Sequence, residues 1–229
     1  MFDAGMSMAR INLSHGTLKS NLKLINRFKM AKRLRPHKTC GLMLEARGRE
    51  IRLSQVNDPS GELKIRSGTV VNLNCLNYLG VSDAKTFYCN CDIVQRYLKP
   101  NDVVYIDDGK VVGIVLEISN EGCMMEIKVG GNVRTNCQIR FIGGKHDKLN
   151  LINPKDMTDM AAISKEMQID YLVLPIATCG EDIKQLREKL GEGGKSIKLL
   201  AKIDSISGVE NYESILNEAD GTIFQRNEL

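Results

Sequence analysis

The chain has 229 residues, of which 42% are hydrophobic and 26% charged, and its net charge is +4. This length allows one large domain or two smaller ones with a substantial buried core. The mild charge argues against a dedicated nucleic-acid-binding protein, which would concentrate basic residues on one face. No apolar run reaches the roughly 18 residues that a bilayer-spanning helix needs, so no membrane segment is expected.

Seven cysteines are scattered along the chain, and their number and spacing favour reduced thiols. An odd count in a chain of this size does not describe a disulfide scaffold and fits a reducing compartment. The nearest pair, Cys89 and Cys91, encloses a single residue, which is poor spacing for zinc. The N-terminus lacks the charged and then apolar layout of a secretory signal, so a cytoplasmic protein is expected.

The first segment predicts a strand, a turn and a helix, followed by a second strand. Apolar residues fill Met8–Leu13, and Thr17 can cap a helix whose apolar residues recur at helical spacing. Pro36 ends this helix because proline disfavours helical geometry in the residue before it, and Cys40–Ala46 is the next apolar run. These elements predict a parallel, right-handed strand–helix–strand unit.

From about Leu53 to Lys148 the pattern changes to short alternating runs separated by turn signals. Val103–Val115 is predicted to be a hairpin around an Asp-Asp-Gly turn, and Met124–Val129 another strand. A helix longer than two turns is expected at most around Asp92–Leu98. The pattern therefore predicts a small all-β domain inserted in a loop.

Strands and helices alternate again after Pro154. We count five barrel-type strands in the whole chain, whereas a closed (β/α) barrel needs eight. The predicted fold class is α/β, a partial TIM barrel of about five of eight strands with an inserted small all-β domain, and it is expected to be a piece of a larger fold. Residues 1–52 and 149–229 form the barrel and 53–148 the insertion. The last six elements are predicted at Lys155–Met167, Tyr171–Pro175, Glu181–Leu190, Ile197–Ile203, Gly208–Asn217 and Gly221–Gln225, alternating helix and strand.

Charged or amide side chains follow several predicted strands at the point where each strand ends. In a parallel barrel the catalytic groups lie at the carboxyl ends of the strands, where the loops emerge. A cation and a carboxylate at several such ends are what a metal–phosphate site requires. The segments with this pattern are Met8–Gly16, Gly41–Arg52, Ile197–Asp204 and Thr222–Glu228.

These segments resemble the signature motifs of the pyruvate kinase family. Gly5-Met-Ser-Met-Ala-Arg-Ile-Asn-Leu-Ser-His-Gly16 is close to G-M-x-x-A-R-x-N-x-S-H-G, and Glu45-Ala-Arg-Gly-Arg-Glu-Ile-Arg52 resembles D-T-K-G-P-E-I-R. Lys198-Leu-Leu-Ala-Lys-Ile-Asp204 resembles the start of K-I-x-x-K-I-E-N-x-x-G. The motifs occur in family order over nearly the whole chain, and the inserted β domain matches the family's lid domain. The resemblance implies a fragment from the second barrel strand to the sixth.

The resemblance implies a glycolytic phosphotransferase that moves a phosphoryl group from phosphoenolpyruvate to ADP, giving pyruvate and ATP. Such a transfer depends mainly on positioning and charge neutralisation. By the family match, Arg10 grips the substrate phosphate and Lys202 stabilises the transferring phosphoryl group. The resemblance also implies a homo-oligomer, a tetramer in the full-length family, with neither nucleic acid nor membrane among its partners.

The family match also implies two cation sites. Potassium-type ligands fall on Asn12, Ser14, Glu45 and Ala46, where the family has aspartate and threonine at the last two positions. Magnesium-type ligands, for Mg²⁺ or Mn²⁺, fall on Asp204 and Glu228, where the family has glutamate and aspartate. The exchange of long and short carboxylates can compensate in reach, but Mg²⁺ demands near-ideal octahedral geometry.

Further substrate- or nucleotide-binding roles fall on Asn12, His15, Arg52 and the lid carboxylate Asp108. The residues by themselves leave other interpretations open. His15 is more typical of a turn residue that bonds to the backbone than of a base. Glu45 can form a structural ion pair with Arg47 or Arg49.

Several motif positions differ from the family pattern, and they motivate alternative functions. Arg49 replaces the proline of K-G-P, and Thr178 replaces the arginine of A-S-F-I-R. A kept framework with altered ligands also fits a catalytically inactive pyruvate kinase paralogue or fragment that acts as a binding or subunit-partner protein. A stand-alone β-domain binder over Leu53–Lys148 is a third reading, but no aromatic or basic patch supports it. An assay of pyruvate formation separates the first two.

Overall fold

The computed structural model describes residues 1–92, 94–142 and 149–226. The chain divides into two compact units. The α/β unit comprises Met1–Arg49 and Asn150–Leu229, and the β unit comprises Glu50–Leu149. The sequence predicts the inserted β domain over residues 53–148. The two units are described separately below.

The α/β unit begins with strand β1 (Met8–Asn12), helix α1 (Leu18–Arg33) and strand β2 (Gly41–Glu45). Thr17 caps α1, as the sequence predicts. Its hydroxyl accepts the Ser20 N–H at 3.2 Å, and Ser20 Oγ accepts the Thr17 N–H at 2.8 Å. This reciprocal pair satisfies two backbone donors that a helix N-terminus otherwise leaves without partners.

The β unit contains nine strands within the described residues. The helix expected around Asp92–Leu98 is a single 3₁₀ turn, Val94–Arg96, and is followed by a turn in which the Asp102 carboxylate accepts the Lys99 N–H at 2.7 Å. The strands are β3 (Ile51–Arg52), β4 (Glu62–Ile65), β5 (Val70–Asn74), β6 (Thr86–Tyr88), β7 (Val103–Ile106), β8 (Val111–Ser119), β9 (Gly122–Val129), β10 (Gly131–Arg134) and β11 (Gln138–Phe141).

Seven of these strands form one sheet in the order β3-β11-β7-β8-β9-β5-β6, and β4 pairs with β10. The predicted hairpin is confirmed, because β7 and β8 pair antiparallel from Ile106–Val111 outward. Asp107 and Asp108 adopt φ values of +52° and +57° in its turn, a region that aspartate tolerates better than most residues. The sheet has its own apolar core, which contains Phe87, Met125 and Ile139.

The α/β unit resumes after the insertion. The prediction of a single helix at 208–217 is wrong. The chain forms two short helices that meet at Asn211. The side-chain amide of Asn211 donates to the Thr178 carbonyl at 3.0 Å, a contact with a different segment. The remaining elements are α2 (Pro154–Glu166), β12 (Tyr171–Leu174), α3 (Gly180–Leu190), β13 (Lys198–Ile203), α4 (Ile206–Glu210), α5 (Tyr212–Glu218) and β14 (Gly221–Phe224).

The strands of the α/β unit form one parallel sheet in the order β1-β2-β12-β13-β14. Successive side chains of a strand point to opposite faces, so each strand offers one set of residues to the helices and one to the other face. This five-stranded parallel sheet with its helices confirms the predicted α/β fold class. The set that packs with the helices includes Ile11, Leu44, Leu174, Ala201 and Ile203, in one cluster with Ile25, Ile163, Ile183 and Ile215.

Two further expectations concern the chain as a whole. All seven cysteines lie in the described part of the chain and are free thiols, as predicted. Among the described residues, no helix combines the length and the apolar character that crossing a bilayer requires.

Two adjacent residues of α1 test how much the helix depends on its buried face. Ile25 is fully buried, whereas Leu24 is 48% exposed. We expect Ile25→Ala to lower the free energy of unfolding by about 2–5 kcal/mol, because it deletes buried methyl groups and leaves a cavity. Leu24→Ala should cost less than about 0.5 kcal/mol. Urea unfolding at unchanged m-value measures both, and equal costs would contradict the described packing.

Candidate functional site

The candidate site lies on the face of the parallel sheet opposite the helices, at the carboxyl ends of the strands. Glu45 is the last residue of β2 and pairs in register with Asn12 of β1 and Val173 of β12. Lys202 is the penultimate residue of β13, and Asp204 follows the strand directly. Because the carboxyl ends of parallel strands share one edge of the sheet, these side chains are brought together.

Glu45 joins two cations from different strands. Its side chain is only 1% exposed, and its Oε2 accepts the Nε–H of Arg10 at 2.5 Å and also pairs with Arg10 Nη2. Its Oε1 lies 3.5 Å from the Nζ of Lys202. The planar fork of arginine suits such two-point binding of a carboxylate. The Arg10 side chain is 54% exposed, so it reaches a buried carboxylate from the solvent side.

Lys202 lies between two buried carboxylates. Its Nζ is 3.5 Å from Asp204 Oδ2 as well as from Glu45 Oε1, and its side chain is 6% exposed. Asp204 is fully buried, and its Oδ1 accepts the N–H of Ile176 at 3.0 Å. Buried charges are tolerated only when opposite charges and hydrogen bonds compensate for lost hydration. The strand ends thus collect two carboxylates and two cations within contact distance.

In the loop after β12, the N–H and the carbonyl of Ile176 are both hydrogen-bonded to side chains of other segments. Ile176 has a φ of +53°, a strained conformation for a β-branched side chain. Its N–H bonds to Asp204, and its carbonyl accepts Nη1–H of Arg49 at 3.2 Å. Arg49 itself is buried and forms a two-point pair with Asp182, at 2.7 and 2.8 Å.

Sequence reasoning missed the partners of the two arginines after β2. The interpretation that Glu45 pairs with Arg47 or Arg49 is wrong: Arg47 binds Asp156 and Asp159 of α2, at 2.9 and 2.7 Å. The signal in the sequence was an aspartate in the first turn of each following helix, where a carboxylate is favoured by the helix dipole. Asp156 also accepts the backbone N–H groups of Arg47 and Gly48.

The residues assigned to potassium lie near the ends of the paired strands β1 and β2. Strand β1 ends at Asn12, and Ser14 lies in the turn that follows it. Asn12 Oδ1 accepts the Ser14 N–H at 2.8 Å, which bends the chain and leaves the second lone pair of this oxygen for another partner. Ala46 continues from Glu45 and donates its N–H to the Val173 carbonyl at 3.0 Å.

A resident metal would need ligands beyond those that the described residues gather. Within residues 1–92, 94–142 and 149–226, no group of three or more histidine, cysteine, aspartate or glutamate side chains is arranged to hold a metal ion. Glu45 Oε1 is a buried oxygen that accepts no hydrogen bond from the described residues. The buried Asp204 carboxylate is a hard oxygen donor of the kind that suits a divalent cation whose shell is completed by waters and phosphate oxygens.

Two predicted site residues belong to the β unit. Arg52 donates to Glu50 Oε2 at 3.0 and 2.7 Å and to the Asn136 carbonyl at 2.8 Å, so its fork takes part in the structure of this unit. Asp108 is exposed at the tip of the β7–β8 turn.

Asp107, the neighbour of Asp108, is buried and serves the turn itself. It is bonded to Arg134 and Lys110. Burial acts to raise the pKa of Asp107, but these hydrogen bonds outweigh it and hold the pKa below its usual value. The two aspartates of the turn therefore have different surroundings, and only Asp108 faces solvent.

The other assigned residues are less constrained. His15 is exposed in the turn after β1, and its carbonyl accepts the side-chain N–H of Asn21 at 3.4 Å. Glu228, the second magnesium-type ligand, lies outside the described residues. The structure therefore brings together Arg10, Glu45, Lys202 and Asp204, with Asn12 paired to Glu45 across the two strands and Ala46 next to Glu45 in the chain.

Comparison with known proteins shows the family of this chain. The family model described as "Pyruvate kinase, barrel domain" matches residues 1–229. The chain belongs to the pyruvate kinase family. Pyruvate kinase from Chlamydia muridarum is 30% identical over 231 residues, and that from Eimeria tenella 26% identical over 229 residues.

Solved structures of the pyruvate kinase family show the same fold. The crystal structure of Cryptosporidium parvum pyruvate kinase matches with a TM-score of 0.88 at 26% identity over 99% of this chain. The same enzyme in complex with ADP matches with a TM-score of 0.84 at 26% identity. The chain spans just under half of its relatives, 46% of the Chlamydia protein and 48% of the Cryptosporidium chain.

The Arg49–Asp182 pair predicts a pH dependence of stability. Burial acts to raise the pKa of Asp182, but the hydrogen bond and charge of Arg49 outweigh it and lower the pKa. A carboxylate with a lowered folded-state pKa stabilises fully above its unfolded pKa of about 4, and this contribution is lost as the pH falls through the folded value. The stability of the parent relative to Arg49→Met/Asp182→Asn should therefore fall as the pH falls from about 6 to below 4, whatever the difference at neutral pH. Urea midpoints across pH measure it, and parallel profiles would contradict the pairing.

Proposed function

We propose that this chain carries the phosphoryl-transfer site of a pyruvate kinase, which converts phosphoenolpyruvate and ADP to pyruvate and ATP. The observation that carries the proposal is the buried ammonium of Lys202, held 3.5 Å from both Glu45 and Asp204 at the carboxyl ends of parallel strands. Phosphoryl transfer requires cations fixed in a water-poor place where negative charge develops. Membership of the pyruvate kinase family supports this choice of reaction.

Arg10 and Lys202 have distinct parts in the proposed reaction. Arg10 is 54% exposed and offers a planar fork, which suits the grip on a substrate phosphate. In the structure that fork binds Glu45, so substrate phosphate would have to share it or take it over. Lys202 is fixed by two carboxylates and offers a point charge beside the moving phosphoryl group. If it swung away, Glu45 Oε1 and Asp204 Oδ2 would lose the cation that lies 3.5 Å from each of them.

The proposal includes a divalent cation, Mg²⁺ or Mn²⁺, and K⁺. Asp204 and Glu228 would hold the divalent ion, and Asn12, Ser14, Glu45 and Ala46 the potassium ion. The chemistry of the donors fits, since all are hard oxygens and the Asp204 carboxylate is buried at the strand ends. A divalent ion held there would neutralise phosphate charge.

The β unit would contribute to nucleotide binding through Arg52 and Asp108, and the turn after β1 through His15. The ADP complex of the Cryptosporidium enzyme supports ADP as the nucleotide. We further propose a cytoplasmic, glycolytic protein that acts without nucleic acid or membrane and that forms a homo-tetramer in its full-length form. The domain division at 52/53 and 148/149, with the β unit as a lid, belongs to the same proposal.

Two lysines on the same strand test the catalytic assignment. Lys202→Met should lower the rate of pyruvate formation by roughly 100-fold or more, because it removes the fixed charge that stabilises the transferring group. Lys198→Met is the matched control. It lies at the other end of β13, with a 62% exposed side chain that pairs with Asp220, and should retain the rate. A coupled assay with Mg²⁺ and K⁺ measures both, and equal rates in the two folded variants would refute the role of Lys202.

The magnesium assignment is testable without turnover. Mn²⁺ binding, followed by electron paramagnetic resonance, should be weakened at least tenfold by Asp204→Asn, because even outer-shell partners of a metal contribute roughly 10–100-fold. Glu188→Gln removes an exposed carboxylate of α3 and should leave binding unchanged. Equal affinity of the parent and Asp204→Asn would place the metal elsewhere.

An inactive binding protein is the second candidate, and one observation favours it. Glu45, where the family motif has aspartate, already binds Arg10 at two nitrogens and faces Lys202. The cations are thus neutralised within the protein, which allows the site to serve structure or ligand binding without turnover. Calorimetric binding of phosphoenolpyruvate or ADP with no pyruvate formed by the parent chain would support this candidate over the enzyme.

A further inference from the structure

We infer that Arg49 is a positioning residue. Its guanidinium holds the strained backbone of Ile176, so that the N–H of Ile176 fixes the orientation of the Asp204 carboxylate. The inference concerns the α/β unit by itself, since all of these residues belong to it. The orientation of Asp204 follows from the contacts. Its relevance to a metal ion depends on the proposed function.

The guanidinium of Arg49 joins the loop to a helix. It is 7% exposed, and its Nη1 and Nη2 donate to the two oxygens of Asp182 in the first turn of α3, at 2.7 and 2.8 Å. Nη1 also donates to the Thr178 hydroxyl at 3.2 Å and to the Ile176 carbonyl at 3.2 Å. A lysine could not reproduce this set of contacts, because it offers one point charge instead of a planar fork.

Ile176 needs such restraint because its backbone conformation is unfavourable. A φ of +53° costs a β-branched residue on the order of 1–3 kcal/mol and persists only where the surroundings fix it. The restraints lie on both sides: Asp204 accepts the N–H at 3.0 Å and Arg49 donates to the carbonyl. Relaxation of this residue would rotate its N–H away from Asp204.

The turn at Gly48, just before Arg49, packs against the loop that contains Ile176. Gly48 has a φ of +55°, and a Cβ built there would lie 2.9 Å from Pro175 Cγ, so the turn packs closely on the residue before Ile176. Two of the positions that differ from the family motifs, Arg49 and Thr178, are in contact with each other. Relative to the family motifs, an arginine is lost at residue 178 and gained at residue 49. Because the two residues are in contact, we interpret these two differences as linked.

The test separates positioning from simple stabilisation. Arg49→Met/Asp182→Asn removes the ion pair as a unit, without leaving a buried charge, and such replacements are often close to neutral for stability. We expect the hydrogen-exchange protection of the Ile176 amide to fall at least tenfold, while the amides of the β12 ladder keep theirs. Unchanged protection of Ile176 would overturn the inference.

Two further variants keep the result interpretable. Arg187→Met/Asp220→Asn removes a second Arg–Asp pair of the same unit, with Nη2 and Oδ2 at 2.7 Å, and should not change Ile176 exchange. Arg49→Lys keeps a cation beside Asp182, so the fold should be retained. The hydrogen-exchange protection of the Ile176 amide should nevertheless fall in this variant as well. Protection of that amide in Arg49→Lys equal to the parent would equally overturn the inference.

Mn²⁺ affinity links the inference to the proposed function. If Asp204 holds the metal, the Arg49→Met/Asp182→Asn variant should bind Mn²⁺ about 10–100-fold more weakly, as for the loss of a residue that orients a ligand. If the parent chain binds no Mn²⁺, the proposed metal site fails, while the exchange of Ile176 still decides whether Arg49 positions Asp204. The two failures are therefore distinguishable.

Discussion

The site depends on the compensation of buried charge at one edge of the parallel sheet. Glu45 and Asp204 are almost completely shielded from water, and Lys202 between them is nearly so. Taking such groups out of water is costly, and their mutual attraction offsets the cost only in good geometry. Strand register supplies that geometry, since β2 and β13 flank β12 and direct these side chains to one face.

The same need to compensate buried charge explains the many hydrogen bonds of the loops that follow the strands. In the described part of the chain, three carboxylates near the strand ends meet an arginine or a backbone donor: Asp156 with Arg47, Asp182 with Arg49, and Asp204 with the Ile176 amide. A site that must keep charges at fixed distances cannot rest on mobile loops. The unfavourable φ of Ile176 is stable here because both sides of the residue are hydrogen-bonded.

Departures from the family motifs have different consequences. Arg49 and Thr178 touch each other and form an internally consistent set with Asp182. Glu45 is different, because its longer side chain contacts both cations of the site directly. The choice between an active enzyme and a silent relative therefore depends more on how substrate competes for Arg10 than on the altered loops.

The sequence by itself determined the elements and the family. Hydrophobic spacing, the Thr17 cap and the turn at Asp107–Gly109 act over a few residues, so the strands of the α/β unit, helix α1 and the β7–β8 hairpin followed from local pattern. Motif order predicted Arg10, Lys202 and Asp204 as site residues. Local pattern failed at Asn211, where a side-chain bond to a distant carbonyl splits the expected helix.

Only the tertiary structure decided the partners. Residues 49 and 182 are far apart in sequence, as are 10 and 45, and no spacing rule states which of several arginines a given carboxylate binds. That choice follows from strand register and the direction in which each loop leaves the sheet. Charge pairing between distant segments is a property of the packed sheet, and so it appears only when the strands are side by side.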